Sequence, residues 1–181
     1  MSAIDLVILG MLKKKPMGAY ELQKLVEYRS ISKWVKISTP SIYKKVLQLE
    51  ENGFVTSRFK RDGNMPEKAV YSLTDEGKKE FERLMLDLSR RPVRLFLDCN
   101  AVAVNLDSMP KKKRQECIQN IRQSVQELKA ELAEHLAQKK DAPDVPAAGM
   151  AVLRQQLLLA DALEQWAETL QAQGEKSGGA F

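Results

Sequence analysis

The chain has 181 residues, 44% of them hydrophobic, and a formal net charge of +5 from 29 basic and 24 acidic side chains. That size accommodates one medium domain or two small ones, and no apolar run nears the ~20 residues that span a bilayer. Cys99 and Cys117 are isolated, with no His or Cys at ligand spacing, which argues against a disulfide framework or a metal site and predicts buried thiols in a reducing cytoplasm. The N-terminus has no basic region ahead of its apolar stretch, so no signal peptide is expected.

The charge is unevenly spread. Residues 1–90 carry 17 basic and 12 acidic groups, and residues 91–181 carry 12 of each. A polyanion-binding head joined to a neutral assembly module would show this asymmetry.

Ser2 can cap a helix in which Ile4, Leu6, Val7, Leu9, Met11 and Leu12 are apolar on more than one face, as for a core helix with several neighbours. Lys13-Lys14-Lys15-Pro16 stops it, and these lysines read as a charged turn. Pro16-Met17-Gly18 is turn chemistry, and Ala19 opens a second helix with Tyr20, Leu22, Leu25 and Val26 at helical spacing, ending around Tyr28 to Ile31. Thr39 and Pro40 suit the cap and first position of a third helix, in which Ile42, Val46, Leu47 and Leu49 form a buried stripe. Ser41, Tyr43, Lys44 and Lys45 fall on its other faces, and Gly53 closes it. Residues 54–59 and 69–73 are β-prone and near-alternating; the basic, Gly/Pro-bearing stretch 60–68 between them predicts a hairpin with a long tip. Thr74 with Gly77 then starts a helix carrying Phe81, Leu84, Met85 and Leu88.

Arg90-Arg91-Pro92 marks a boundary. Residues 93–106 are so apolar that they predict a helix in need of a partner. Asp107-Ser108 is read as the cap region of a long helix to about Lys140, with Ile118, Ile121, Val125, Leu128 and Leu132 in strict 3,4,3,4 spacing. A break at 141–146 precedes a last helix with Met150, Leu153, Leu157, Leu159, Leu163, Trp166 and Leu170, ended by Gly174. The tail 175–181 has no periodicity and is expected to be disordered.

The fold class expected is mainly α with a small β-hairpin: a winged helix-turn-helix head at 1–90 and a coiled-coil-like α-helical dimerisation domain at 91–174. In such a head the third helix fits the major groove and the hairpin reaches the adjacent backbone or minor groove. Candidate DNA contacts are Ser38, Thr39, Ser41, Tyr43, Lys44 and Lys45 on that helix, Lys60, Arg61, Asn64 and Lys68 on the wing, and Tyr20. A solvated helix face is the plain alternative for Lys44 and Lys45. The second basic cluster on the wing weighs toward double-stranded DNA. No G-x-S-x-G, P-loop, paired His or Gly-rich phosphate cradle is present, so no enzyme and no cofactor is expected.

Gly18-Ala19-Tyr20-Glu21-Leu22, then Ser41-Ile42-Tyr43 with Leu49-Glu50-Glu51-Asn52-Gly53-Phe54-Val55, then the run Lys68 to Gly77 through Tyr71-Ser72-Leu73-Thr74-Asp75-Glu76, resemble the PadR family of bacterial transcriptional regulators. The resemblance covers roughly residues 3 to 88, and the helical half is similar to longer members that include virulence activators. It implies a homodimer on a pseudo-palindromic operator, and a possible small-molecule effector, since some relatives respond to phenolic or cationic compounds. The family's usual glycine before the tyrosine is Ala19 here, and the position after Ser-Ile-Tyr, often proline, is Lys44. The latter change leaves the helix less interrupted and adds a charge on its groove-facing side.

Dimerisation is assigned to Leu95, Phe96, Ile118, Ile121, Val125, Leu128, Leu132, Leu159, Leu163 and Trp166. An intramolecular hairpin of the two long helices is the alternative use of the heptad run. Trp34 and Trp166 are candidates for stacking a flat ligand, with packing favoured for Trp166. The competing function is a winged-helix protein-interaction module without specific DNA binding.

Overall fold

The computed structural model describes residues 2–35, 41–61, 67–140 and 145–176, with the backbone alone at 173–176. The chain divides into two compact units, Met1–Val93 and Arg94–Phe181.

In the first unit the order is α1 (Ala3–Leu12), β1 (Met17–Gly18), α2 (Ala19–Tyr28), a 3-10 turn (Ile31–Lys33), α3 (Ser41–Glu51), β2 (Val55–Lys60), β3 (Lys68–Leu73) and α4 (Asp75–Ser89). Helix α1 packs against α3, α4 and β3, which is why it is apolar on more than one face. One continuous core results, with Ile8, Leu9, Leu22, Val26, Ile42, Val46, Leu49 and Leu84 fully buried. Each such side chain contributes about 1.5–3 kcal/mol of burial.

The sheet has three antiparallel strands in the order β1-β3-β2, so the hairpin expected from sequence gains a strand. Met17-Gly18, read as turn chemistry, pairs with Tyr71 and Val70. A two-residue strand is too short to show alternation; only the presence of β3 as a template makes it one. Trp34 is half-buried against the same core.

The second unit contains α5 (Cys99–Ala103), a 3-10 turn (Leu106–Ser108), α6 (Lys111–Lys139) and α7 (Ala147–Lys176). Three expectations are corrected here. Of the continuous helix expected over 93–106, only the five residues of α5 are α-helical. Val93, Leu95 and Phe96 lie in a non-helical stretch with exposed side chains. A helix that short is marginal without a face to pack on. Asp107 and Ser108 belong to the 3-10 turn, so α6 starts after Pro110 with no side-chain cap. Helix α7 runs through Gly174 to Lys176, because one glycine weakens a helix by only about 1 kcal/mol and need not end it. Helices α6 and α7 pair along most of their length, burying Ile118, Ile121, Val125, Ala160, Ala167 and Leu170.

Candidate nucleic-acid interface

Helix α3 is held from three sides. Its stripe of Ile42, Val46 and Leu49 enters the core, while Leu47 is only half-buried. At its C-terminus Gly53 takes φ 74°, and its N–H donates to the Glu50 carbonyl while the Phe54 N–H donates to that of Leu49. This is a Schellman closure, and the left-handed residue has to be glycine or strain. The Thr74 hydroxyl donates to the Gly53 carbonyl at 2.7 Å and accepts the Gly77 N–H at 3.0 Å, so the end of α3 is tied to the start of α4. A Cβ on Gly77 would lie 1.9 Å from the Phe54 carbonyl oxygen, which explains the glycine in Thr74-Asp75-Glu76-Gly77.

Outward on α3 are Tyr43, Lys44, Gln48 and Glu51, all exposed, with Ser41 half-buried at its first described turn. Lys44 has no ion pair among the described residues. Lys45 differs: its Nζ lies 3.3 Å from Asp5 Oδ1 and donates to Gln48 Oε1 at 3.1 Å. Ser38, Thr39 and Asn64 lie outside the described residues, as does the expected cap at Thr39-Pro40.

The wing is set by register. Val55, Ser57 and Phe59 stand opposite Leu73, Tyr71 and Ala69 on one face, and Thr56, Arg58 and Lys60 opposite Ser72, Val70 and Lys68 on the other. Val55 and Tyr71 are buried, whereas Phe59 is 73% exposed because the hairpin outruns the core. Burial pushes the Tyr71 phenol above its usual range. The second face therefore carries three cations, one of which, Arg58, sequence reasoning missed. The signal was present as the period-two step from Arg58 to Lys60. Arg58, Lys60 and Arg61 are exposed with no ion pair among the described residues, but Lys68 donates to Glu21 Oε1 at 3.3 Å. Glu21 also accepts the Gly18 N–H at 2.8 Å, and that backbone bond, with Lys68, holds its carboxyl below the usual range. Tyr20 is 69% exposed, with Lys24 Nζ 5.5 Å from its ring centre. The wing is fastened to α3 by Glu50, whose Oε1 accepts the Ser57 N–H at 2.7 Å.

The residues assigned to dimerisation divide into three groups, buried, half-buried and exposed. Ile118, Ile121 and Val125 are buried within the chain, against Leu163, Trp166, Ala167 and Leu170. This is the intramolecular use of the heptad run, and it is available because α7 returns antiparallel with its own apolar stripe. Lys129 bridges the pair at 2.8 Å from Asp161 and 2.6 Å from Glu164; hydrogen bonds to both carboxylates raise its pKa. Leu132 and Leu159 are half-buried. Leu95, Phe96 and Leu128 remain exposed, with Val102, Val104 and Leu158. An open groove of about 580 Å³ runs between α5, α6 and α7, with Leu97, Val102, Leu128 and Leu163 among its lining residues. Cys99 and Cys117 also line it, so the thiols are half-buried, not enclosed.

This head of four helices and a β-wing is matched, over residues 8–83, by the family model described as the transcriptional regulator PadR-like family. Residues 8–83 are similar to a PadR-like domain. Within this domain the negative transcriptional regulator PadR of Bacillus subtilis is 30% identical over 80 residues, which are 44% of this chain and 43% of that protein. The chain thus aligns with less than half the length of that curated relative. In fold the likeness runs further. The structure of Bacillus subtilis PadR in complex with operator DNA superposes with a TM-score of 0.79 at 21% identity, covering 94% of this chain and 98% of that one. The same relative in complex with p-coumaric acid gives 0.81 at 20% identity, covering 96% and 99%. The Vibrio cholerae virulence activator AphA gives 0.72 at 20% identity, covering 94% and 97%. The PadR-like head and the helical arm therefore recur together as one fold.

Proposed function

We propose that this protein is a homodimeric, sequence-specific transcriptional regulator that seats α3 in the major groove and lays the β2–β3 wing on the neighbouring backbone or minor groove. The observation that carries the reading is the distribution of unpaired cations. Lys44 on α3 and Arg58, Lys60 and Arg61 on the wing are exposed and unpaired among the described residues, whereas Lys13, Lys45 and Lys68 are engaged by carboxylates of the head. A head with few free cations gains affinity when two copies share one site, since each brings its own phosphate contacts. The exposed Leu95, Phe96, Val104 and Leu128 favour a second copy as the partner of the arm. On this reading the operator is pseudo-palindromic and the protein works in the cytoplasm, where the DNA is. The p-coumaric acid complex of the Bacillus relative makes small phenolic acids the first effectors to test.

Selection of bound sequences from a random duplex pool tests the reading in one step. A palindromic motif with half-sites about one or two helical turns apart is expected. Recovery of no enriched motif overturns it in favour of a protein-interaction module.

A further inference from the structure

We propose that Asp5 is a positioning residue for the reading helix and that Lys45 serves as its counter-ion, not as a DNA contact. The inference rests on the DNA-binding reading above.

Asp5 lies in the first turn of α1 and is 3% exposed. Among the described residues the other buried charged group is Glu80, which is answered within α4 by a bidentate pair of 2.7 Å hydrogen bonds from Arg83. Asp5 is answered differently. Its Oδ2 accepts the Ser2 N–H at 2.6 Å and the Ser2 hydroxyl at 3.0 Å, both neutral donors from its own helix start. The charge is met by Lys45 Nζ, 3.3 Å from Oδ1, reaching across from α3. A carboxylate that buried is costly unless a counter-charge stays on it. The Lys45 side chain is correspondingly withdrawn, at 28% exposure, whereas its neighbour Lys44 is exposed.

The pair joins the first turn of α1 to the second turn of α3, more than a turn before the Glu50–Ser57 tie to the wing. Between them the two carboxylates fix the rotation of α3 about its own axis, and with it the direction in which Tyr43 and Lys44 project. Arg58 takes the phosphate-facing place that sequence alone would give to Lys45.

The test uses the full-length chain and two duplexes: one recovered by selection and one of mixed sequence. Removing a single phosphate-binding cation lowers the slope of log K against log salt concentration by about 0.9. Lys44→Met and Arg58→Met are expected to show that reduction on both duplexes. Lys45→Met is expected to keep the wild-type slope while its preference for the selected duplex falls about tenfold, measured well below its melting temperature. Lys45→Arg should restore the preference. A purely structural role would leave the preference of the folded protein unchanged. Should Lys45→Met not fold, Asp5→Asn, which leaves every cation in place, should show the same lowered preference at an undiminished slope. A slope reduced by about 0.9 in Lys45→Met, or an unchanged preference in both variants, overturns the inference. Absence of any salt-dependent binding by the wild-type chain overturns the DNA-binding reading itself.

Discussion

The head and the arm use apolar residues in opposite ways. In the head, side chains from α1, α2, α3, α4 and the sheet converge on one core, and the outward surface of α3 is polar. In the arm, two small clusters line the α6–α7 seam and large apolar side chains stay outside, Phe96 at 85% exposure among them. A unit that closes its core can present charge to a ligand. A unit that leaves apolar surface open is unfinished until something covers it.

The largest effects should come from breaking the closed unit. Gly77→Ala puts a methyl group into the Phe54 carbonyl, and a loss of about 3 kcal/mol or more is expected in chemical denaturation. Leu49→Ala, which also empties the seat of α3, should cost about 3 kcal/mol by the same measurement. In the arm the balance reverses. Phe96→Asp should change stability of the head by less than about 0.5 kcal/mol, because an exposed side chain supports nothing within the chain, yet on the proposed homodimer reading it should leave the full-length chain monomeric in sedimentation velocity. A fully dimeric Phe96→Asp protein would show that this segment is not part of the interface. Residues 1–93 alone should fold and remain monomeric, with a melting temperature independent of concentration, whereas unfolding of the full chain should depend on it.

The smallest effect concerns acid. Glu21 is held below its usual range by the Gly18 N–H and Lys68, and Glu80 by Arg83. Groups whose folded pKa is depressed contribute stability that is present above the ordinary glutamate value of about 4.3 and is lost as pH falls through the folded value. The melting temperature of the head should therefore fall as pH drops from about 5 toward 3, and Glu80→Gln should flatten that decline.

Much of the head was legible because local chemistry there agrees with the final fold. Gly53 ends α3, Thr74 caps α4, and the stripe on α3 faces inward as its spacing predicts. The arm was less legible, since a 3,4 repeat specifies that a helix has a partner without saying whether that partner is another chain or the next helix. Ile118, Ile121 and Val125 satisfy both descriptions and are buried by α7. At the candidate site the engagement of the cations was hidden: nothing in the positions of Asp5 and Glu21 announces that they meet Lys45 and Lys68 across the fold.

By itself the sequence determined the order of helices and wing in the head, the cap at Thr74 and the close at Gly53, and the concentration of positive charge in the first half, because each depends on interactions within a few residues or on composition. Only the tertiary structure decided which cations remain free, that Arg58 joins Lys60 on one face of the wing, that Met17-Gly18 becomes a strand, and that residues 93–96 stay uncoiled and exposed. Those outcomes depend on pairs brought together from distant parts of the chain, and periodicity carries no record of them.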